Sequence, residues 1–268
     1  MTLLNKILKY ESRNSCLTKI QKKIRKKFKI YFVPTNIKNL PKNNHPIYTN
    51  FGYQEELIKT FSKKNHLISF NTHPKIVQIL KKLFLNENLE FNFLDFGGEN
   101  IDFYLYLKKN FRNIHYFVYN QKEINEDFSK VKEKYKFENI TILNNVDEIN
   151  SYKYDFVNFG SVIQYIENYD KILTKIITSS KKYIFFSGTH FYSKKLNEVN
   201  KIVVKQVNML PDKLYCYFFN FEDFMKIFIS NGFSVIFKEK NLTDNVNYKN
   251  FGLSYGNIEY TDLLISRK

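Results

Sequence analysis

Residues 90–100 read EFNFLDFGGEN, an apolar run that ends in the acid Asp95 and passes at once into Gly97 and Gly98. A helical pattern starts at Ile101. A buried strand that runs through a glycine turn into a helix N-terminus is the unit from which parallel α/β sheets are built. Glycine permits the φ > 0 turn and lets another group lie against the backbone. This one segment commits the chain to an α/β fold more firmly than any other.

From residue 90 onward strands and helices alternate, which predicts a parallel sheet. Strands are predicted at 91–96, 114–119, 140–143, 156–159 and 183–186, with helices over 101–111, 124–135 and 169–179. A longer insertion follows. A helix over 221–231 then ends at Gly232, a fitting C-cap. Strands at 234–238 and 260–265 close the chain, and their helix-free connection predicts antiparallel pairing. Upstream, 54–61 and 74–84 read as helices, with Pro74 suited to a first turn. The stretch 33–48, with Pro34, Pro41 and Pro46, reads as a linker or covering segment. The expected division is therefore 1–33, 34–85 and 86–268.

At 268 residues the chain can bury one large core with a small appendage. No apolar run approaches the roughly 18 residues of a spanning helix, and residues 3–8 are too short for a signal peptide. The two cysteines, Cys16 and Cys216, share no motif, so a reducing, cytoplasmic compartment and no metal framework are expected. The net charge of +16 suggests a polyanion partner, yet only four of the 42 basic residues are arginine. Nucleic-acid sites favour arginine for bidentate and stacking contacts, so the composition argues against nucleic acid.

The charge is concentrated at the N-terminus, where residues 1–29 carry +9. Leu17, Ile20, Ile24, Phe28 and Tyr31 fall on one helical face, with lysines and Arg25 on the other. Leu3, Leu4, Ile7 and Leu8 suggest an earlier turn. Such a helix either lies weakly on an anionic membrane surface, giving a peripheral address at the inner face, or packs its stripe on the domain.

In an open α/β sheet, ligands bind beyond the carboxyl ends of the strands. That edge gathers Asp95, Phe96, Gly97 and Gly98, then Asn120 and Gln121, then Asp147 and Glu148, then 160–167, GSVIQYIE. No third glycine completes a pyrophosphate-binding G-x-G-x-x-G. An adenosyl ligand without phosphates asks less of the helix N-terminus, and an acid beside the turn suits it better. Of five histidines, His190 follows the fifth strand on this edge and is the candidate base; Tyr165 is a second candidate, as acceptor contact or donor.

LDFGG at 94–98 together with SVIQYIENYDKIL at 161–173 resembles the class I S-adenosylmethionine (SAM) dependent methyltransferases. More narrowly it resembles a methyltransferase family of surface-polysaccharide (O-antigen type) gene clusters. That pattern continues in VDEI at 146–149, FSGTHF at 186–191 and VKQVNMLPDKLYCYFFNFEDF at 204–224. The resemblance covers about residue 90 to the C-terminus. It implies a Rossmann-like fold: a mostly parallel seven-stranded sheet with an antiparallel last strand, plus a helical N-terminal extension. It implies SAM as cofactor and a sugar or glycoconjugate precursor as methyl acceptor.

Carried over residue by residue, Asp95, Phe96, Gly97 and Gly98 would form the turn under methionine and ribose. Asn120 stands where the family usually has an acid gripping the ribose hydroxyls, and Gln121 beside it is a further cofactor-binding candidate. Asp147 would lie near the adenine amino group. Ser161, Val162 and Gln164 would line the cofactor and the entry to the acceptor. A catalytically inactive scaffold of the same fold would also explain Asn120 and the sparse glycines. An RNA-directed methyltransferase is disfavoured by the arginine shortage, and a nicotinamide oxidoreductase by the missing phosphate turn.

Overall fold

The computed structural model describes residues 15–41, 50–64, 73–84, 90–194, 200–208, 214–241 and 245–268. The expected turn at 3–8, and with it His45 and His66, lies outside these. In chain order the elements are α1 (Ser15–Phe28), β1 (Phe32–Pro34), α2 (Phe51–Lys64), α3 (His73–Leu83), β2 (Phe91–Phe96) and α4 (Ile101–Asn110). There follow β3 (Ile114–Tyr119), α5 (Lys122–Tyr135), β4 (Ile140–Leu143), β5 (Tyr154–Gly160), α6 (Tyr169–Ser179) and β6 (Ser180–Tyr192). The chain closes with β7 (Lys201–Gln206), β8 (Leu214–Asn220), α7 (Phe221–Ile229), β9 (Phe233–Lys240) and β10 (Ile258–Arg267).

Two compact units emerge. The parallel unit comprises Ile47–Gly160, Asp170–Ser187 and Leu264–Lys268; the antiparallel unit comprises Met1–Pro46, Ser161–Tyr169 and Gly188–Leu263. These bounds differ from the expected division at 33 and 85. The reason is long-range pairing: β1 adds antiparallel to β7, with Phe32 opposite Gln206, and the Arg25 guanidinium donates to the carbonyl of Asn208 at 2.5 Å. Both tie the N-terminal segment to residues far along the chain.

In the parallel unit the strands run β4–β3–β2–β5–β6, all parallel. β2 is central and buried along nearly its whole length, as a strand covered on both faces must be. Its ring-bearing positions fall in register with those of its neighbours. Phe93 stacks on Tyr116 at 5.8 Å and on Phe156 at 5.4 Å. On the opposite face Phe96 lies 4.9 Å from both Tyr119 and Phe159, and Phe159 stacks on Phe186 at 5.0 Å. Helices α4 and α5 follow β2 and β3, and α2 packs on both.

The antiparallel unit is built on β1–β7–β8, with β8 parallel to the end of β6 through Phe191 and Tyr192. β10 pairs with β6 and β9. Here the sheet exceeds the expected seven strands. The fifth expected strand, 183–186, is the middle of a thirteen-residue β6, because 187–192 pair on rather than turning away as a loop. The insertion holds the β7–β8 hairpin, and Pro34 closes β1 at the sheet edge, where a missing N–H is tolerated. The unit's core joins Phe32, Tyr192, Val204, Cys216, Phe218, Phe251 and Ile258.

The N-terminal stripe is divided. Ile24 packs with Ile30, Val33 and Val207, and Gln21 is buried, whereas Ile20 and Phe28 are each 45% exposed. The side chain of Leu17 lies outside the described residues. No helix among the described residues is long and apolar enough to cross a membrane.

Candidate cofactor site

Asp95 is the penultimate residue of β2, on the face of Phe93 and Tyr116. Its carboxylate is buried and accepts from Tyr116 Oη at 2.5 Å and from Asn158 Nδ2 at 2.7 Å. Burial is the largest influence and pushes its pKa up to about 6 against the pull of those two bonds; the charge of Glu99 adds to the rise. Glu99 is itself raised by burial. Two acids at the end of one strand thus sit where a positive ligand would relieve them.

The turn follows directly. Gly97 takes φ 84°, which a side chain would strain, and its N–H donates to the Tyr119 carbonyl at 2.7 Å. A Cβ on Gly98 would press on the Asp95 carboxylate. The turn is held from α2 by Gln54, which is 0% exposed. Its Nε2 donates to the Glu99 carbonyl at 2.6 Å and its Oε1 accepts from Ile101 N–H at 2.9 Å. The next residue, Glu55, accepts from Tyr135 Oη at 3.0 Å and pairs with Lys134, fastening α2 to α5 as well.

Asn120 is not the open grip expected at the ribose position. Its Nδ2 donates to the Gly98 carbonyl at 2.9 Å and its Oδ1 accepts from Gln121 N–H at 2.7 Å. The carboxamide braces one βα turn against the next in the free protein, because an amide carries its own donor, which a carboxylate lacks. Gln121 is exposed at the start of α5. Phe96 lends only backbone to the turn, since its ring is in the aromatic rung. Asp147 lies in a short 3₁₀ turn capped by Asn145; its side chain is 82% exposed and paired with Lys175 Nζ at 2.8 Å.

The remaining candidates belong to the antiparallel unit. Ser161 adopts φ 58° and its Oγ lies 3.1 Å from Tyr260 Oη. Val162 precedes the 3₁₀ turn Ile163–Tyr165 and accepts from Tyr165 N–H at 2.9 Å. Gln164 is buried, donating from Nε2 to the Gly188 carbonyl at 3.1 Å. Tyr165 donates to Gln206 Oε1 at 2.8 Å, and burial raises its pKa well above the ordinary tyrosine value.

His190 is corrected most sharply. It lies inside β6, not in a loop after it. Its ring stacks on Phe218 at 4.2 Å and meets Phe32 at 4.5 Å and Tyr260 at 4.6 Å. Burial pushes its pKa down to about 3. At neutral pH only about one such ring in 10⁴ is protonated, so it is too weak a base for the role expected of it.

Sequence reading missed Gln54, Glu99, Asn100, Tyr116 and Asn158. Only Glu99 and Asn100 adjoin the motif; the others reach it through helix packing or strand register. Asn100 Oδ1 and Asn158 Oδ1 are buried with no protein partner. Buried acceptors without donors, beside two carboxyls, fit a ligand that brings ammonium or hydroxyl donors and carries no phosphate. The chemistry of SAM meets that description. Two surface clefts lie elsewhere, one against α5 and β4 at Lys132, Phe137 and Thr141, the other at the strand starts by Glu90, Asn113 and His115. Among the described residues no cluster of His, Cys, Asp and Glu could hold a metal.

No family model and no curated protein sequence matches the chain. Solved structures do. The N-terminal domain of EvdMO1, crystallised in the presence of S-adenosylhomocysteine (SAH) and D-fucose, matches at TM-score 0.51 and 12% identity, over 74% of this chain and 84% of that one. A putative sarcosine dimethylglycine methyltransferase from Galdieria sulphuraria matches at TM-score 0.50 and 10% identity, over 72% and 84%. With the strand order around β2 and the glycine turn at its end, these likenesses show that the chain has the Rossmann-like fold of the class I methyltransferases.

Proposed function

We propose that the chain binds SAM at the end of β2 and transfers its methyl group to a small acceptor. The observation that carries this is the pairing of two partnerless amide oxygens, on Asn100 and Asn158, with the raised carboxyls of Asp95 and Glu99. Such a bed favours a cationic ligand rich in donors and repels a nucleotide phosphate. When bound, SAM supplies a methyl group activated by its sulfonium. Gly97 permits the φ > 0 turn, Gly98 leaves room for the Asp95 carboxylate, and Asn120 holds the turn against the next strand. The transfer asks the protein for in-line placement more than for acid–base chemistry. That accords with a buried His190 and with Tyr165, whose hydroxyl is committed to Gln206.

The finer reading is a sugar or glycoconjugate precursor as acceptor. Supporting it are the resemblance carried by 161–173 and 204–224 and the EvdMO1 neighbour, crystallised with D-fucose present. Weak, salt-sensitive contact of residues 1–29 with anionic membrane belongs to the same reading; vesicle co-sedimentation with and without that segment tests it. The primary test is calorimetric titration with SAM and SAH. Micromolar binding that is lost in Gly97→Val is expected. No binding of either at millimolar concentration would overturn the proposal in favour of a scaffold of the same fold.

A further inference from the structure

Asn100 stands where a helix-capping residue belongs and does not cap with its side chain. Its backbone is extended, φ −127° and ψ 127°, as an N-cap requires, and its carbonyl accepts from Phe103 N–H at 3.3 Å. Asparagine is among the best capping side chains because its oxygen normally takes an orphan N–H of the first turn. Here the side chain makes no cap bond. Gln54 brackets Asn100 on the backbone: the Ile101 N–H donates to Gln54 Oε1 at 2.9 Å, and Gln54 Nε2 donates to the Glu99 carbonyl at 2.6 Å. Asn100 is left 7% exposed with its Oδ1 lacking any protein partner.

Burying an amide oxygen without a donor destabilises the free protein. The arrangement is therefore useful only where a donor arrives from outside. Gln54 comes from α2, which the expected division at 85 set apart from the sheet. Its bonds make α2 part of the turn's construction.

We propose that Gln54 is a positioning residue of the cofactor bed: by bonding the backbone on either side of Asn100, at the Glu99 carbonyl and the Ile101 N–H, it holds Asn100 where its carboxamide oxygen is kept for a hydrogen-bond donor of the bound cofactor. This rests on the SAM reading above. It goes further by assigning Asn100 the contact and Gln54 the task of keeping it available.

SAH titration of wild type, Asn100→Ala, Gln54→Ala and the double variant, with melting temperatures of the unliganded proteins, decides it. Asn100→Ala should weaken SAH on the order of tenfold while leaving the melting temperature unchanged or higher, because no bond in the free protein is lost. A residue with a purely structural role would do the opposite. Gln54→Ala should weaken SAH similarly, by releasing the backbone on either side of Asn100, and Gln54→Glu, which keeps the acceptor for Ile101, should recover part of the loss. In the double variant the two losses should not add. Unchanged SAH affinity in Asn100→Ala, or a lowered melting temperature without loss of affinity, would overturn the inference. A wild type that binds no SAH would overturn the functional reading instead.

Discussion

Asp95 and His190 are both buried titratable groups on sheet strands, and burial moves them in opposite directions. The carboxyl is pushed up to about 6 and the imidazole down to about 3. Each shift favours the neutral form, as a low-dielectric surrounding requires. The surroundings differ in kind. Asp95 has two hydrogen-bond donors and lies under a glycine turn. His190 has rings about it and an Nδ1 with no partner. The lesson is that a titratable residue at the ligand-binding edge of a sheet is not thereby a site. Asp95 is built into a polar bed; His190 fills a core.

The largest expected effect comes from the imidazole. Its folded pKa lies below the ordinary 6.5, so its contribution to stability is full above that value and is lost as pH falls through about 3. The span amounts to on the order of 5 kcal/mol. His190→Phe should remove that loss, and chemical denaturation from pH 7 to pH 3 should show the variant gaining on wild type as acid is added. Equal pH dependence in both would show that His190 is not enclosed as described.

Asp95 gives the reverse slope. Its folded pKa lies above the ordinary 3.8, so its contribution is full below that value and is lost as pH rises through about 6, a span on the order of 3 kcal/mol. Asp95→Asn should gain on wild type as pH rises across that window and then hold level. Between pH 4 and 6 the two groups oppose each other, so each variant exposes the other's slope. Denaturation curves of both variants in that window sharpen the comparison more than either alone.

Smaller effects compare the two turns. At Gly188, φ is +58° and a Cβ would strike Tyr260 Oη and Ser161 Oγ; Gly188→Ala should cost about 2–3 kcal/mol by strain and crowding, with SAH binding retained. Asn120→Asp should cost only about 1 kcal/mol, through loss of the donor to the Gly98 carbonyl, but should also weaken SAH. Tighter SAH binding in that variant would instead restore Asn120 to the ribose position.

Much of the parallel unit was legible in order. The strands at 91–96, 114–119 and 140–143 and the helix at 169–179 match their expected bounds, because near-continuous apolar runs and helical spacing are local properties of the chain. β1 and the β7–β8 hairpin were not legible. A three-residue strand beside a proline has no periodicity, and pairing across some 170 residues leaves no mark in a window of fifteen. Of the site, the DFGG turn could be read because a strand, an acid and two glycines are contiguous.

The sequence by itself determined that turn, the alternation around it, the lysine-rich N-terminus and the absence of a pyrophosphate motif. Tertiary structure alone decided which neighbours each side chain meets. Asp95 is raised because the folded sheet buries it, and Tyr116 and Asn158, brought to it from the two neighbouring strands, offset only part of that rise. Gln54 reaches the turn because α2 packs against α4. His190 is silenced because rings from β1, β8 and β10 close on it. Hydrogen-bond partners and dielectric surroundings are relations between distant residues, and they exist only once the chain has folded.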